Sequence, residues 1–136
     1  MEFLGKKTAA LAQPVSTTRQ RGAAAEDRAL AHLQAAGLRL LERNYRTPGR
    51  GGGEIDLILR ERDATLVFVE VRSRASSAFG GAGASIGSTK RRRLIFAARH
   101  YLMRLNPPPP CRFDAVLIES NGVDSLQWLR AAFDAQ

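Results

Sequence analysis

The chain has 136 residues, a net charge of +8, 44% hydrophobic and 25% charged residues, the balance of one ordinary globular domain with a normal core. Its single cysteine excludes an intramolecular disulfide and a cysteine-held zinc site. No apolar run approaches the roughly 18 residues of a membrane span, and the N-terminal stretch is too polar for a secretory signal, so a cytoplasmic protein with no membrane partner is expected. The basic balance favours a polyanionic partner, nucleic acid before an anionic lipid surface.

Residues 1–18 are expected to form a disordered tail, and residues 19–136 a single domain. Thr17 and Gln20 have capping-box spacing, so a first helix is predicted from Arg19 to Ala36, stopped by Gly37. Glu26, Ala29, Leu30 and Leu33 share one face of it. Leu38–Tyr45 reads as a first strand, and "RTPGRGGG" as a loop. Glu54–Arg60 and Thr65–Arg72 read as two strands close enough in sequence to form an antiparallel hairpin.

Ser73–Ser88 is nearly all Gly, Ser and Ala and reads as a mobile loop. Ser88 is a candidate cap for a second helix running to about Leu105, with Leu94, Ala97, Ala98, Tyr101, Leu102 and Leu105 as its buried stripe. The prolines at 107–110 end it. Arg112–Glu119 is a fourth strand, and Asn121-Gly122 a turn. Val123–Leu129 is a candidate fifth strand, followed by a brief helix. The order α-β-β-β-α-β predicts an α/β fold with helices on both faces of a mixed sheet.

Two of these strands carry an acid in an apolar setting. In "EIDLI", strict alternation puts Ile55, Leu57 and Leu59 on one face and Glu54, Asp56 and Ile58 on the other. In "FVEVR", it puts Val67, Val69 and Val71 on one face and Phe68, Glu70 and Arg72 on the other. A hairpin lays Asp56, Glu70 and Arg72 side by side, and Glu26 can join them from the first helix. Carboxylates gathered in this way need a proton or a cation between them. With no nearby His or Cys, the candidate cofactor is a hard cation, Mg²⁺ or Mn²⁺. The bland alternative is a surface salt-bridge cluster, Glu70 with Arg72 or Glu54 with Arg60.

From Val71 to Phe113 the chain carries nine Lys or Arg residues and no Asp or Glu. Lys90, Arg91, Arg92 and Arg93 fall in the first turn of the second helix, where the helix dipole disfavours cations and a phosphate favours them. They are candidate nucleic-acid contacts, as is Arg74. "GASIGSTK" fails as a phosphate-binding loop because its lysine does not follow the glycine. His32 and His100 are too far apart for a zinc site, and His100 is expected at the surface. Trp128 and Tyr101 are expected in the core.

"GEIDLI" at Gly53–Ile58, "VFVEVRSR" at Val67–Arg74, the Lys90 helix and "RFDAV" at Arg112–Val116 resemble the bacterial YraN-like proteins. That family is similar to the restriction-endonuclease-like nucleases, which include Holliday-junction resolvases and carry a PD-(D/E)xK site. The resemblance implies a restriction-endonuclease-like core. It makes Asp56 and Glu70 the catalytic, metal-binding acids and Glu26 a further metal ligand from the first helix. Arg72 stands where the nuclease signature has lysine, and the usual proline before the aspartate is absent. Arginine can stabilise charge on a phosphate but cannot readily act as a base.

The function expected on this basis is a metal-dependent nuclease acting on DNA, including branched DNA. The alternative is a nucleic-acid-binding module that keeps the fold without the reaction. Two-fold DNA substrates are often met by homodimers, but no dimer surface is legible in the sequence.

Overall fold

The computed structural model describes residues 18–74, 86–120 and 124–135. The expected N-terminal tail, the Thr17 half of the capping box, most of the Ser73–Ser88 loop and the Asn121-Gly122 turn lie outside them. The elements are α1 (Thr18–Ala35), β1 (Arg39–Arg46), β2 (Glu54–Arg60), β3 (Leu66–Arg74), α2 (Ser88–Leu102), β4 (Cys111–Ser120) and β5 (Asp124–Phe133).

α1 buries Ala25, Ala29 and Leu33, spaced by four residues, as its periodicity predicts. It ends at Gly37, whose φ of 102° suits a residue without Cβ. The N–H of Leu38 then reaches back to the Leu33 carbonyl at 3.1 Å, and that of Gly37 to Gln34 at 2.9 Å. These bonds close the C-terminal motif that glycine there makes available.

The strands form one sheet in the order β1-β2-β3-β4-β5. β1–β2, β2–β3 and β4–β5 are antiparallel; β3–β4 is parallel and bridged by α2. This is the expected mixed α/β architecture, compatible with a restriction-endonuclease-like core. Val67 and Val69 of β3, with Val116 and Ile118 of β4, pack in one cluster with the apolar residues of α1. Leu66 and Phe68, with Phe113, Ala115 and Leu117, pack in another with those of α2. The two helices therefore cover opposite faces, and each fully buried Leu, Ile or Phe contributes about 1.5–3 kcal/mol to holding them there.

Four expectations are corrected. β5 runs to Phe133, so no helix follows the fifth strand. Phe133 pairs with Phe113 and stacks on it at 4.8 Å, an apolar contact that a helix of Ala131 and Ala132 would forgo. The N-cap of α2 is Gly87 rather than Ser88, and no side chain caps it. α2 ends at Leu102, although Leu105 still packs against the core. Finally, alternation breaks in β2: Leu57 and Leu59 face α1, but Ile55 joins Ile58 and Phe68 on the α2 side. The break falls at Asp56.

Candidate active site

The break has a visible cause. β2 and β3 are paired from Arg60↔Leu66 to Leu57↔Val69 and no further. Beyond that point the strands part, and β1 meets the same place with Asn44 at φ 53°. The Val71 N–H, which an uninterrupted ladder would give to a carbonyl, is donated to Asp56 Oδ2 at 2.8 Å. The aspartate side chain thus stands in for backbone at the fork between two core strands. Gly53, just upstream, is required by packing, because any Cβ there would run into the Arg93 carbonyl oxygen of α2. That close approach presses the start of β2 against the first turns of α2.

Glu70 lies on the α2 face and is 8% exposed. Its Oε2 is 3.4 Å from Lys90 Nζ, while its Oε1 is buried without a hydrogen-bond partner among the described residues. Burial, then the charge of Glu70, pushes the Asp56 carboxyl up from 3.8 to about 7. The Val71 N–H and the Lys90 charge oppose that rise and do not cancel it.

Glu26 reaches the fork from α1, on the other face. Burial first and the Asp56 charge second raise its pKa. It is held by Arg43 at 3.4 Å, and Arg43 also binds Asp27 at 2.9 Å. Among the described residues no group of three or more His, Cys, Asp or Glu is gathered closely enough to hold a metal ion. Asp56 and Glu70 form an adjacent pair, with Glu26 coupled through charge rather than closed into a cage.

The salt-bridge alternative is realised differently at each acid. Glu54 pairs with Arg46, its cross-strand partner, at 3.6 Å and not with Arg60. Arg72 is half-buried two residues beyond Glu70. The cation beside Glu70 is Lys90. The other three basic residues at the start of α2 fan out. Arg91 Nε donates to the Ile86 carbonyl at 2.8 Å, Arg92 to Thr89 Oγ1 at 3.4 Å, and Arg93 Nε to the Gly52 carbonyl at 3.4 Å. Arg74 is half-buried at the end of β3.

The profile of the uncharacterised protein family UPF0102 matches residues 25–118, well over half of the chain and a span that includes every acid described above as well as Lys90. The chain belongs to the UPF0102 family. This bears out the resemblance to YraN-like proteins. UPF0102 proteins of Paracidovorax citrulli (strain AAC00-1) and Acidovorax sp. (strain JS42) are 74% and 73% identical to it, each comparison covering 99% of both chains. One from Verminephrobacter eiseniae (strain EF01-2) is 66% identical over 100% of this chain and 98% of its own. Among the described residues, no helix of this UPF0102 chain is long and apolar enough to cross a membrane.

Three residues have roles that the sequence reading missed. Lys90 was grouped with its basic neighbours, yet it alone of the four turns to the acid pair; the signal was its identity, since the only other lysines are Lys6 and Lys7. Asp114, inside the "RFDAV" motif, is fully buried on β4. It accepts bonds from Arg112 Nε (3.0 and 3.2 Å), Trp128 Nε1 (2.9 Å) and the Ala131 N–H (2.9 Å), pinning the irregularity where β5 crosses Phe113 and Ala115. Arg112 continues to Glu61 at 2.7 Å. His100 is half-buried rather than a bare surface residue, its Nδ1 2.6 Å from Tyr45 Oη. Tyr101 is in the core as expected; Trp128 is half-buried, with the Arg130 guanidinium 4.0 Å over its ring.

Proposed function

We propose that this UPF0102 chain is a metal-dependent nuclease that hydrolyses phosphodiester bonds in DNA, branched DNA included. The observation that carries the reading is the Asp56–Glu70 pair: two adjacent carboxylates, one with its pKa raised to about 7 and the other with an unpartnered buried oxygen, at a fork in the sheet. Carboxylates perturbed in this way by burial and a like charge cluster at functional sites. A divalent cation fits these donors, being hard, oxygen-seeking and able to satisfy the orphaned oxygen.

Asp56 and Glu70 would hold Mg²⁺ or Mn²⁺, with Glu26, which is not gathered with them, contributing through water. The bound cation supplies a lowered pKa for water and charge neutralisation at the phosphate. Arg72 meets the charge on the attacked phosphate. Lys90 orients Glu70 and brings to the site the lysine that the nuclease signature carries on the strand, here delivered from α2. Unlike arginine, a lysine can give up its proton. Arg74 and Arg91–Arg93 hold the nucleic-acid backbone nearby without reading its sequence.

A second reading, a nucleic-acid-binding module without the reaction, is favoured by the arginine at 72. A panel of labelled single-stranded, duplex and four-way-junction DNA and RNA, incubated with the full chain in Mg²⁺, Mn²⁺ or EDTA, separates the two. Cation-dependent cleavage supports the nuclease. Salt-sensitive binding to the same panel without cleavage supports the second reading.

A further inference from the structure

The other end of β2 carries a second concentration of positive charge, built around a concavity. β1 begins at Arg39 and β2 ends at Arg60, and the two are direct cross-strand partners. Like charges directly opposite in an antiparallel pair are destabilising. Arg62, in the β2–β3 turn, lays its guanidinium against Gly37, so that a Cβ at position 37 would lie 3.1 Å from its Nε and Nη2. These residues, with Glu61 and Ala64, line a pocket of about 450 Å³, within the range of small-ligand sites.

The one acid in the lining is already engaged, because Glu61 binds Arg112 at 2.7 Å. None of the three arginines makes an ion pair with a carboxylate among the described residues. Three arginines therefore line a cavity whose one acid is engaged by Arg112. Arginine presents a planar fork of donors suited to phosphate oxygens, and a bound phosphate would turn the Arg39–Arg60 repulsion into two charge-assisted contacts.

We infer that this pocket binds a phosphate group, and that in a nucleic-acid complex the group is a backbone phosphodiester. Arg60 lies four residue steps along the strand from Asp56, about 13 Å at 3.3 Å per step. β2 itself is buried between the helices, so a nucleic acid that meets both ends would pass over the surface around the strand rather than along it. The backbone assignment rests on the nucleic-acid reading above; the phosphate assignment does not.

The test compares the full chain with Arg39→Gln/Arg60→Gln and with a charge-matched control, Arg19→Gln/Arg99→Gln, all in EDTA. Arg39 and Arg60 are exposed, so the first variant keeps its fold, and a melting curve at or above that of the wild type verifies it. One arm titrates a fluorescent duplex oligonucleotide by anisotropy across salt concentrations. The other measures melting in inorganic phosphate against chloride of equal ionic strength.

Relative to the control, the pocket variant is expected to lose at least tenfold in affinity, with a salt slope shallower by about one, and to lose stabilisation by phosphate. If phosphate stabilises the wild type and not the variant while oligonucleotide binding is unchanged or absent, the pocket stands as a free-phosphate site and its backbone role is overturned. A variant that matches the control in both arms overturns the proposal.

Discussion

Replacing Asp56 by Asn should make the protein more stable at every pH above about 4, with the gain growing up to about pH 7 and constant beyond it. In the unfolded chain an aspartate releases its proton near pH 4. In the fold, burial and the neighbouring Glu70 hold that proton until about pH 7. Between these values the folded state binds more protons than the unfolded state, so stability falls as the pH rises through the window and stays lower above it. A displacement of about 3 units at about 1.4 kcal/mol each sets a ceiling of roughly 4 kcal/mol. Asparagine cannot ionise, and its amide oxygen can still accept the Val71 N–H. Wild type and Asp56→Asn should therefore unfold alike at pH 4, and the variant should gain about 1–4 kcal/mol at pH 8.5. Urea denaturation followed by circular dichroism, in chelator at pH 4, 6 and 8.5, measures the difference. A variant that is less stable than wild type by the same amount at every pH would refute the reasoning, because Asp56 would then act only as a backbone acceptor.

Other substitutions test other parts of the account. At pH 8.5, Mg²⁺ at a hundred times its Kd should stabilise the wild type by about 2.7 kcal/mol in a thermal melt and leave Asp56→Asn unmoved; equal shifts in both would place the cation elsewhere. Asp114→Ala leaves the half-buried Arg112 with Glu61 as its remaining carboxylate and takes the acceptor from the Trp128 and Ala131 N–H groups, and should cost about 1–3 kcal/mol in urea unfolding. A cost under about 1 kcal/mol would mean that water replaces the carboxylate. Gly53→Ala forces a methyl group toward the Arg93 carbonyl and should cost about 1–3 kcal/mol in the same assay. Unchanged stability would show that β2 and α2 are free to separate there.

Much of this was legible because periodicity is set locally. The spacing of Ala29 and Leu33 oriented α1, and the alternation of Val67, Phe68 and Val69 placed Glu70 on the same face as Phe68; which helix covers that face came only from the structure. What escaped depends on contacts between distant segments. The switch of Ile55 arises where β2 leaves β3 and meets Asn44 of β1, and no window around residue 55 contains those strands. The rotation of α2, which the packing of Leu94, Ala97 and Ala98 sets, is what turns Lys90 and not Arg91–Arg93 to the acids. The alanines at 131 and 132 favour a helix locally, but the aromatic contact of Phe133 with Phe113 and the Asp114 bond to Ala131 overrule that preference. Asp114 itself, between Phe113 and Ala115, carries no sign in the sequence of the four bonds it accepts.

The claim that Asp56 and Glu70 form a nuclease centre is tested most directly by cleavage kinetics. Wild type, Asp56→Asn and Lys90→Gln are purified in parallel and assayed on the labelled four-way junction in Mn²⁺ at pH 8. The account predicts cation-dependent hydrolysis by the wild type, a fall of at least 100-fold in Asp56→Asn although that protein is the more stable one, and a smaller but clear fall in Lys90→Gln. Cleavage by Asp56→Asn at the wild-type rate would contradict it.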